Sequence, residues 1–120
     1  MKESIIKNKS YAFAIKIIRT YKYLVNDKKE YVLAKQVLRS GTAIGALIEE
    51  SQGGQTKKDF FFKISIAYKE ARETAYWLNL LKDTNYLSED VYHDLIIDLN
   101  EIIKIIGSIQ KTLKIQLKIE

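Results

Sequence analysis

Residues 31–83 decide the fold, and they read YVLAKQVLRSGTAIGALIEE (31–50), SQGGQTKKD (51–59) and FFFKISIAYKEARETAYWLNLLKD (60–83). In the first and last of these segments, apolar side chains recur every three or four residues, which is the spacing of a helix with one buried face. The short middle segment contains Gly53 and Gly54 and is typical of a turn. The stretch therefore predicts a helical hairpin, and we interpret it as the middle of a four-helix bundle.

The composition is that of an ordinary soluble domain. The chain has 120 residues, 47% of them apolar and 29% charged, so we expect one domain over residues 1–120. The absence of proline fits a few long helices, and the absence of cysteine excludes disulfides and thiolate metal sites. We find no signal peptide and no apolar stretch that would span a membrane, and we expect a cytoplasmic protein.

The apolar periodicity predicts an all-α protein, an antiparallel up-down-up-down bundle with helices over about residues 10–25, 30–51, 57–83 and 89–114. Ser4 or Ser10 is expected to cap the first helix, and Ser88 the last. Thr56 followed by Asp59 predicts a capped start for the third helix. The predicted core stripe of the first helix is Tyr11, Ala14, Ile15, Ile18, Tyr21 and Val25. The tail residues Ile115, Leu117 and Ile119 alternate with polar residues and are left unassigned.

Two glycines stand inside the predicted second helix. Gly41 and Gly45 each cost a helix roughly 1 kcal/mol relative to alanine. Close approach of a neighbouring helix would offset that cost, and the alternative is that a long helix simply tolerates both glycines.

The predicted fourth helix is more apolar than one buried stripe requires. Its core positions are Leu95, Leu99, Ile102, Ile106, Ile109 and Leu113, and Ile96, Ile97, Ile103 and Ile105 widen that stripe. A surface of this width is expected to meet another subunit, so the pattern predicts a homo-oligomer.

Charge is unevenly distributed along the chain. Residues 1–39 carry ten Lys and Arg against three acidic residues, a local +7, whereas residues 83–101 carry six acidic residues and no Lys or Arg, a local −6. A basic first helix suggests an anionic partner such as nucleic acid, with Tyr21 and Tyr23 available to stack on bases. The alternatives are a solvated lysine face, or docking on the acidic helix of another subunit. The candidate nucleic-acid-binding residues are Lys16, Arg19, Lys22, Lys28, Lys29, Lys35 and Arg39.

Arg39 has two interpretations because its planar guanidinium pairs equally well with a carboxylate or a phosphate. If the second and third helices are antiparallel about residues 53–54, Arg39 lies level with Glu70 and Glu73, and a bridge there would fix the helix register. The predicted structural polar network is Arg39, Glu50, Glu70 and Glu73. The other interpretation is an exposed phosphate contact.

We predict no catalytic residues, no cofactor and no metal site. Asp90, Asp94 and Asp98 share one helix face and suggest a cation site, but a solvated acidic face is the plainer interpretation. His93, the only histidine, lacks the Glu-x-x-His partners of a di-metal bundle. The run GGQTKK (53–58) lacks the spacing of a phosphate-binding loop and is interpreted as a helix–helix turn.

Several ordered motifs carry a resemblance to a known family. They are LRSGTAIGA (38–46), EESQ (49–52), TKKDF (56–60), ISIA (64–67), KEARET (69–74) and YWL (76–78). Over about residues 10–114 the chain resembles the four-helix-bundle proteins encoded in intervening sequences of bacterial large-subunit ribosomal RNA genes. The accessory variability protein of diversity-generating retroelements is similar. Leu47 departs from the family pattern, which commonly has Asn there, and any polar contact of that Asn is absent here.

The resemblance implies a bundle that assembles into a homopentamer. It also implies nucleic-acid binding through a basic surface, as in the retroelement relative, which works with a reverse transcriptase. We therefore expect a non-catalytic oligomer that binds RNA or DNA. The alternative is a protein-interaction scaffold or an accessory subunit of a nucleic-acid enzyme such as a reverse transcriptase.

Overall fold

The computed structural model describes residues 2–119, with side chains from residue 4 onward, and this part of the chain forms four helices and no strand. The helices are α1 (Lys2–Asn26), α2 (Val32–Ser51), α3 (Lys57–Asp83) and α4 (Glu89–Leu117). Each helix contacts the next along the chain, and α1 also contacts α4, so the four surround one core as a bundle 47 Å long and 22 Å across. No helix in the described part of the chain is apolar over a length that would cross a membrane.

Local signals in the sequence explain where α3 and α4 begin. The Thr56 hydroxyl accepts a hydrogen bond from the Asp59 amide at 3.0 Å, and the Ser88 hydroxyl accepts one from the Val91 amide at 3.2 Å. Both predicted caps are therefore confirmed, and each satisfies an amide that the first turn of a helix leaves unpaired. At the start of α2, the Glu30 carboxylate accepts from the Ala34 amide at 2.9 Å instead.

The prediction for α1 was wrong in both its start and its buried face. The helix begins at Lys2 rather than near residue 10, so Ser4 and Ser10 both lie inside the helix and neither caps it. Tyr11 of the predicted core stripe is 71% exposed, and Ile15 and Ile18 are also exposed. The α1 residues that are buried are Ile6, Ser10, Phe13, Ile17, Thr20 and Leu24.

Two polar residues account for this error. Ser10 and Thr20 occupy core positions and interrupt the apolar spacing that a sequence pattern detects. Their hydroxyls donate within the helix, Ser10 to the Lys7 carbonyl at 3.2 Å and Thr20 to the Lys16 carbonyl at 2.9 Å. A buried hydroxyl with such a partner avoids most of the cost of burial, so the core accepts both residues.

The two glycines of α2 face α1 directly. A β-carbon built on Gly41 would lie 2.8 Å from Cγ1 of Ile17, and one on Gly45 would lie 3.3 Å from the Ser10 carbonyl oxygen. The predicted close approach of a neighbouring helix is confirmed, and that neighbour is α1.

The apolar surplus of α4 is mostly covered within the chain. Ile96, Ile103 and Ile105 are partly buried against the core, and only Ile97 of the widening set is exposed. The helix also extends to Leu117, through most of the tail that the sequence left unassigned. The width of the α4 stripe is therefore a poor argument for a second subunit.

Candidate nucleic-acid interface

Lys16 is held by the acidic face of α4 in the same chain. Its Nζ lies 2.6 Å from Oδ2 of Asp98 and 3.1 Å from Oδ2 of Asp94. The hydrogen bond to Asp98, followed by that to Asp94, raises the pKa of Lys16. About two turns earlier in α1, Lys9 pairs with Glu101 at 2.7 Å, and this hydrogen bond lowers the pKa of the Glu101 carboxyl. These pairs join α1 to α4 within one chain, and a phosphate would have to compete with both carboxylates for Lys16.

Arg39 is likewise engaged by carboxylates, those of α3. Its Nη1 lies 3.1 Å from Oε1 of Glu70, and its Nη2 contacts Oε2 of Glu73. The hydrogen bond to Glu73 is the main cause of a raised Arg39 pKa. Trp77 donates from Nε1 to the same Glu73 oxygen at 2.8 Å, and this bond does most to lower the Glu73 pKa. The geometry is that of a bridge between α2 and α3.

Glu50 does not belong to this network, contrary to the prediction. It accepts from Nζ of Lys63 at 2.8 Å, near the α2–α3 loop. The sequence reasoning also missed a contact close to Arg39, where the buried hydroxyls of Ser40 and Thr74 lie 2.9 Å apart. Small hydroxyl residues facing each other across a predicted hairpin would have been the signal for this pair.

The five remaining candidates form what we call the α1–α2 basic surface: Arg19, Lys22, Lys28, Lys29 and Lys35. They occupy the end of α1, the following loop and the first turn of α2, and all five are exposed. Within residues 2–119 none of them has an ion pair. These cations are therefore available to an anionic ligand.

Two tyrosines lie among these cations. Tyr31 is 51% exposed and Tyr23 is 39% exposed, whereas Tyr21 packs against the core. Of the two tyrosines suggested for base stacking, only Tyr23 is thus on the surface, and the sequence reasoning missed Tyr31. Exposed aromatic rings beside lysines are the arrangement used to bind single-stranded nucleic acid.

The acidic residues of α4 do not converge on a metal site. Among the described residues no group of three His, Cys, Asp or Glu side chains could hold an ion. Asp94 and Asp98 contact Lys16, while Asp90 and His93 are exposed near the start of α4.

A shallow groove of about 450 Å³ runs between α1 and α2 on the outside of the bundle. Its lining residues are Lys7, Asn8, Tyr11, Ala14, Thr42, Gly45, Ala46 and Glu49. Small residues of α2 line one side of the groove and Tyr11 of α1 lines the other, and the exposed Ile15 and Ile18 follow Tyr11 at helical spacing. This apolar surface is the one that the sequence reasoning had placed in the core.

Comparison with known proteins shows similarity to one family and to a solved structure. A family model described as 23S rRNA-intervening sequence protein matches residues 2–108. A crystal structure at 1.70 Å resolution of a protein with unknown function from the S23 ribosomal protein family, from Bacteroides thetaiotaomicron VPI-5482, superposes with a TM-score of 0.91. That protein is 49% identical, and the similarity covers 92% of this chain and 99% of that chain. None of the curated proteins matches.

Proposed function

Because the chain belongs to the 23S rRNA-intervening sequence protein family, we propose that it is a non-catalytic four-helix bundle that binds RNA or DNA through the α1–α2 basic surface. The similar crystal structure is of a protein with unknown function, so the proposal depends on this chain's own charges. The observation that carries it is the contrast among cations. Lys16 and Arg39 are neutralised by carboxylates, while five neighbouring cations are exposed and lack an ion pair within the described residues.

Such a surface would bind mainly through the phosphate backbone. Each lysine that neutralises a phosphate releases a condensed counterion, so affinity falls as salt rises. Tyr23 and Tyr31 would add stacking on unpaired bases, which tolerates many sequences because every base has a flat face. We therefore expect a preference for single-stranded or looped nucleic acid with little sequence specificity.

The proposed bundle is antiparallel, with helices running alternately up and down. In each pair of neighbouring helices, residues early in one helix contact residues late in the other, as expected for helices that run in opposite directions. The supporting pairs are Lys7–Glu49 and Ile17–Gly41 between α1 and α2, Lys63–Glu50 and Arg39–Glu73 between α2 and α3, Ser65–Gln110 and Asn79–Tyr92 between α3 and α4, and Lys9–Glu101 and Lys16–Asp94 between α1 and α4.

We further propose that the bundle is a homo-oligomer, with the pentamer favoured by the family resemblance. The supporting observation is the exposed apolar stripe of Tyr11, Ile15 and Ile18 beside the α1–α2 groove, because exposed apolar side chains that cluster commonly mark a subunit contact. In a ring, a modest basic surface repeats on every subunit, and weak contacts combine. Light scattering on the wild-type protein tests this directly, since a mass equal to one chain at high concentration would refute it.

A gel-shift titration against salt tests nucleic-acid binding. We would compare Lys28→Gln/Lys29→Gln with a control that removes two exposed lysines elsewhere, Lys69→Gln/Lys104→Gln. For a single strand the slope of log affinity against log salt should become shallower by about 1.4 in the first variant and stay unchanged in the control. The absence of a shift with structured RNA, single-stranded RNA or DNA, even at low salt, would refute the proposal.

The second candidate function is an accessory subunit for a nucleic-acid enzyme such as a reverse transcriptase. It is favoured by the same α1–α2 groove and by Phe62 and Tyr76 of α3, both of which are more than half exposed. A pull-down with and without nuclease separates the two candidates. A partner retained after nuclease treatment would favour the accessory subunit, and one released by nuclease would favour nucleic-acid binding.

A further inference from the structure

A second group of unpaired cations lies at the other end of α2. Five lysines, Lys57, Lys58, Lys111, Lys114 and Lys118, are exposed and form no ion pair within residues 2–119. Two of them are in the first turn of α3, and three are in or directly after the last turns of α4. We call this group the α3–α4 lysine surface.

The fold brings the two helix ends to one opening. A groove of about 470 Å³ is lined on one side by Lys57 and Phe60 of α3 and on the other by Leu113 and Gln116 of α4. The α2–α3 loop, which includes Thr56, completes its wall. Lys57 lines this groove, and the other four lysines are next to its lining residues in sequence, at the same two helix ends.

Little negative charge offsets these lysines. Residues 109–120 contain three lysines and one acidic residue, Glu120, and residues 52–61 contain two lysines and one acidic residue, Asp59. Two carboxylates near this end are already taken, because Glu49 pairs with Lys7 and Glu50 with Lys63. The local charge is thus +3 over those two segments, from five lysines against Asp59 and Glu120.

The first turn of α3 also carries positive charges at the positive end of the helix dipole. α4 begins with Glu89 and Asp90, which the positive end of a helix favours. α3 instead begins with the adjacent cations Lys57 and Lys58, which the same end disfavours and which repel each other, and a single carboxylate, Asp59, follows them in the first turn. Chains commonly break a local rule of this kind where a function requires it. An anionic ligand would relieve both unfavourable contacts.

We propose that the α3–α4 lysine surface is a second nucleic-acid contact, which binds the phosphate backbone without reading bases. This inference rests on the proposed function. The flanking Gln116 offers a hydrogen bond to phosphate or sugar, and an excess of lysines with few carboxylates suits a polyanion.

The two basic surfaces are separated by the length of α2. This helix has 20 residues, so the surfaces lie roughly 30 Å apart along it. A long strand can contact both surfaces at once, whereas a short strand can contact only one. Two-surface binding raises the affinity for the longer strand through effective concentration.

The test compares two matched quadruple variants of the full chain by fluorescence anisotropy. One is Lys57→Gln/Lys58→Gln/Lys114→Gln/Lys118→Gln, and the other is Lys22→Gln/Lys28→Gln/Lys29→Gln/Lys35→Gln. The probes are single-stranded RNA and DNA of one sequence, at about 6 and about 30 nucleotides, across a salt series. Circular dichroism shows whether each variant remains folded.

We expect the α3–α4 variant to bind the long RNA at least about tenfold more weakly at 0.1 M salt. Its salt slope should be shallower by up to about 2.8, from four contacts of about 0.7 each. RNA and DNA should respond alike, since their phosphates are shared, and the short probe should lose much less affinity than the long one.

Three outcomes would overturn this inference. If only the α1–α2 variant loses binding, the proposed function stands and the second contact does not exist. If acidic lipid vesicles or an acidic peptide bind the lysine surface and nucleic acid does not compete, the assigned partner is wrong. If the wild-type protein binds neither RNA nor DNA, the proposed function fails together with the inference.

Discussion

Substituting Gly41 by alanine tests how closely α1 and α2 pack. The new β-carbon would lie 2.8 Å from Cγ1 and 2.9 Å from Cγ2 of Ile17, a fully buried residue. Both atoms are bonded to Cβ of Ile17, so a rotation about the Cα–Cβ bond that moves one of them away from the new β-carbon brings the other closer to it. The helices themselves must therefore shift.

The expected magnitude has two opposing parts. Overpacking of this kind costs about 1–3 kcal/mol, and replacing a helical glycine by alanine returns about 1 kcal/mol. Gly107 supplies the matched control, because a β-carbon built there would meet nothing within 4 Å. Gly107→Ala should therefore stabilise the protein by roughly 1 kcal/mol. The gap between the two variants isolates the overpacking cost.

Equilibrium urea unfolding followed by circular dichroism measures both variants and the double variant Ile17→Ala/Gly41→Ala. In the Ile17→Ala background the clash is gone, so Gly41→Ala should stabilise as Gly107→Ala does. A Gly41→Ala protein as stable as Gly107→Ala in the wild-type background would refute the close packing of α1 on α2.

Three further predictions concern the polar contacts. The lowered pKa of Glu73 means that its contribution to stability is present above the ordinary value of 4.5 and is lost as pH falls through its folded value. The fluorescence of Trp77, the only tryptophan, should report that titration below pH 4.5, and Glu73→Gln should abolish it. Thr74→Val leaves the buried Ser40 hydroxyl without its partner and should cost about 1–3 kcal/mol in urea unfolding, part of which Ser40→Ala in the same chain should restore. Lys16→Gln should lower the free energy of unfolding by less than about 1 kcal/mol, because the carboxylate partners of Lys16 are partly exposed. The same variant should leave RNA affinity unchanged in a gel shift, because Lys16 is already paired with Asp94 and Asp98. A large loss of affinity in that variant would return Lys16 to the nucleic-acid surface.

The sequence predicts the helices well, because their signals are local. The caps at Thr56 and Ser88 each depend on a hydroxyl and an amide three residues later, and both were found as expected. The buried face of α1 depends on which neighbours it has. Ser10 and Thr20 reach the core only because their own helix satisfies their hydroxyls, and no apolar periodicity records that.

The contacts of the candidate site are likewise of two kinds, those that the sequence predicts and those that depend on which helices are neighbours. Counting residues in both directions from the turn at residues 53–54 places Arg39 opposite Glu70 and Glu73. The sequence can therefore predict that contact. The pairing of Lys16 with Asp98 joins residues 82 positions apart, and it needs α1 to lie beside α4. Without knowledge of that adjacency, a lysine with a partner and a lysine without one look the same in the sequence.

The contacts along the outer edges of α1 differ in kind on its two sides. Toward α2, Gly41 meets the side chain of Ile17 and Gly45 meets the backbone of Ser10, and among the described residues a single ion pair, Lys7–Glu49, joins the two helices. Toward α4, the outer edge is closed by the ion pairs of Lys9 and Lys16, which dissolved ions weaken. High ionic strength should therefore weaken the contact between α1 and α4 more than the contact between α1 and α2. At high salt we expect α1 to separate from α4 first and to remain packed on α2.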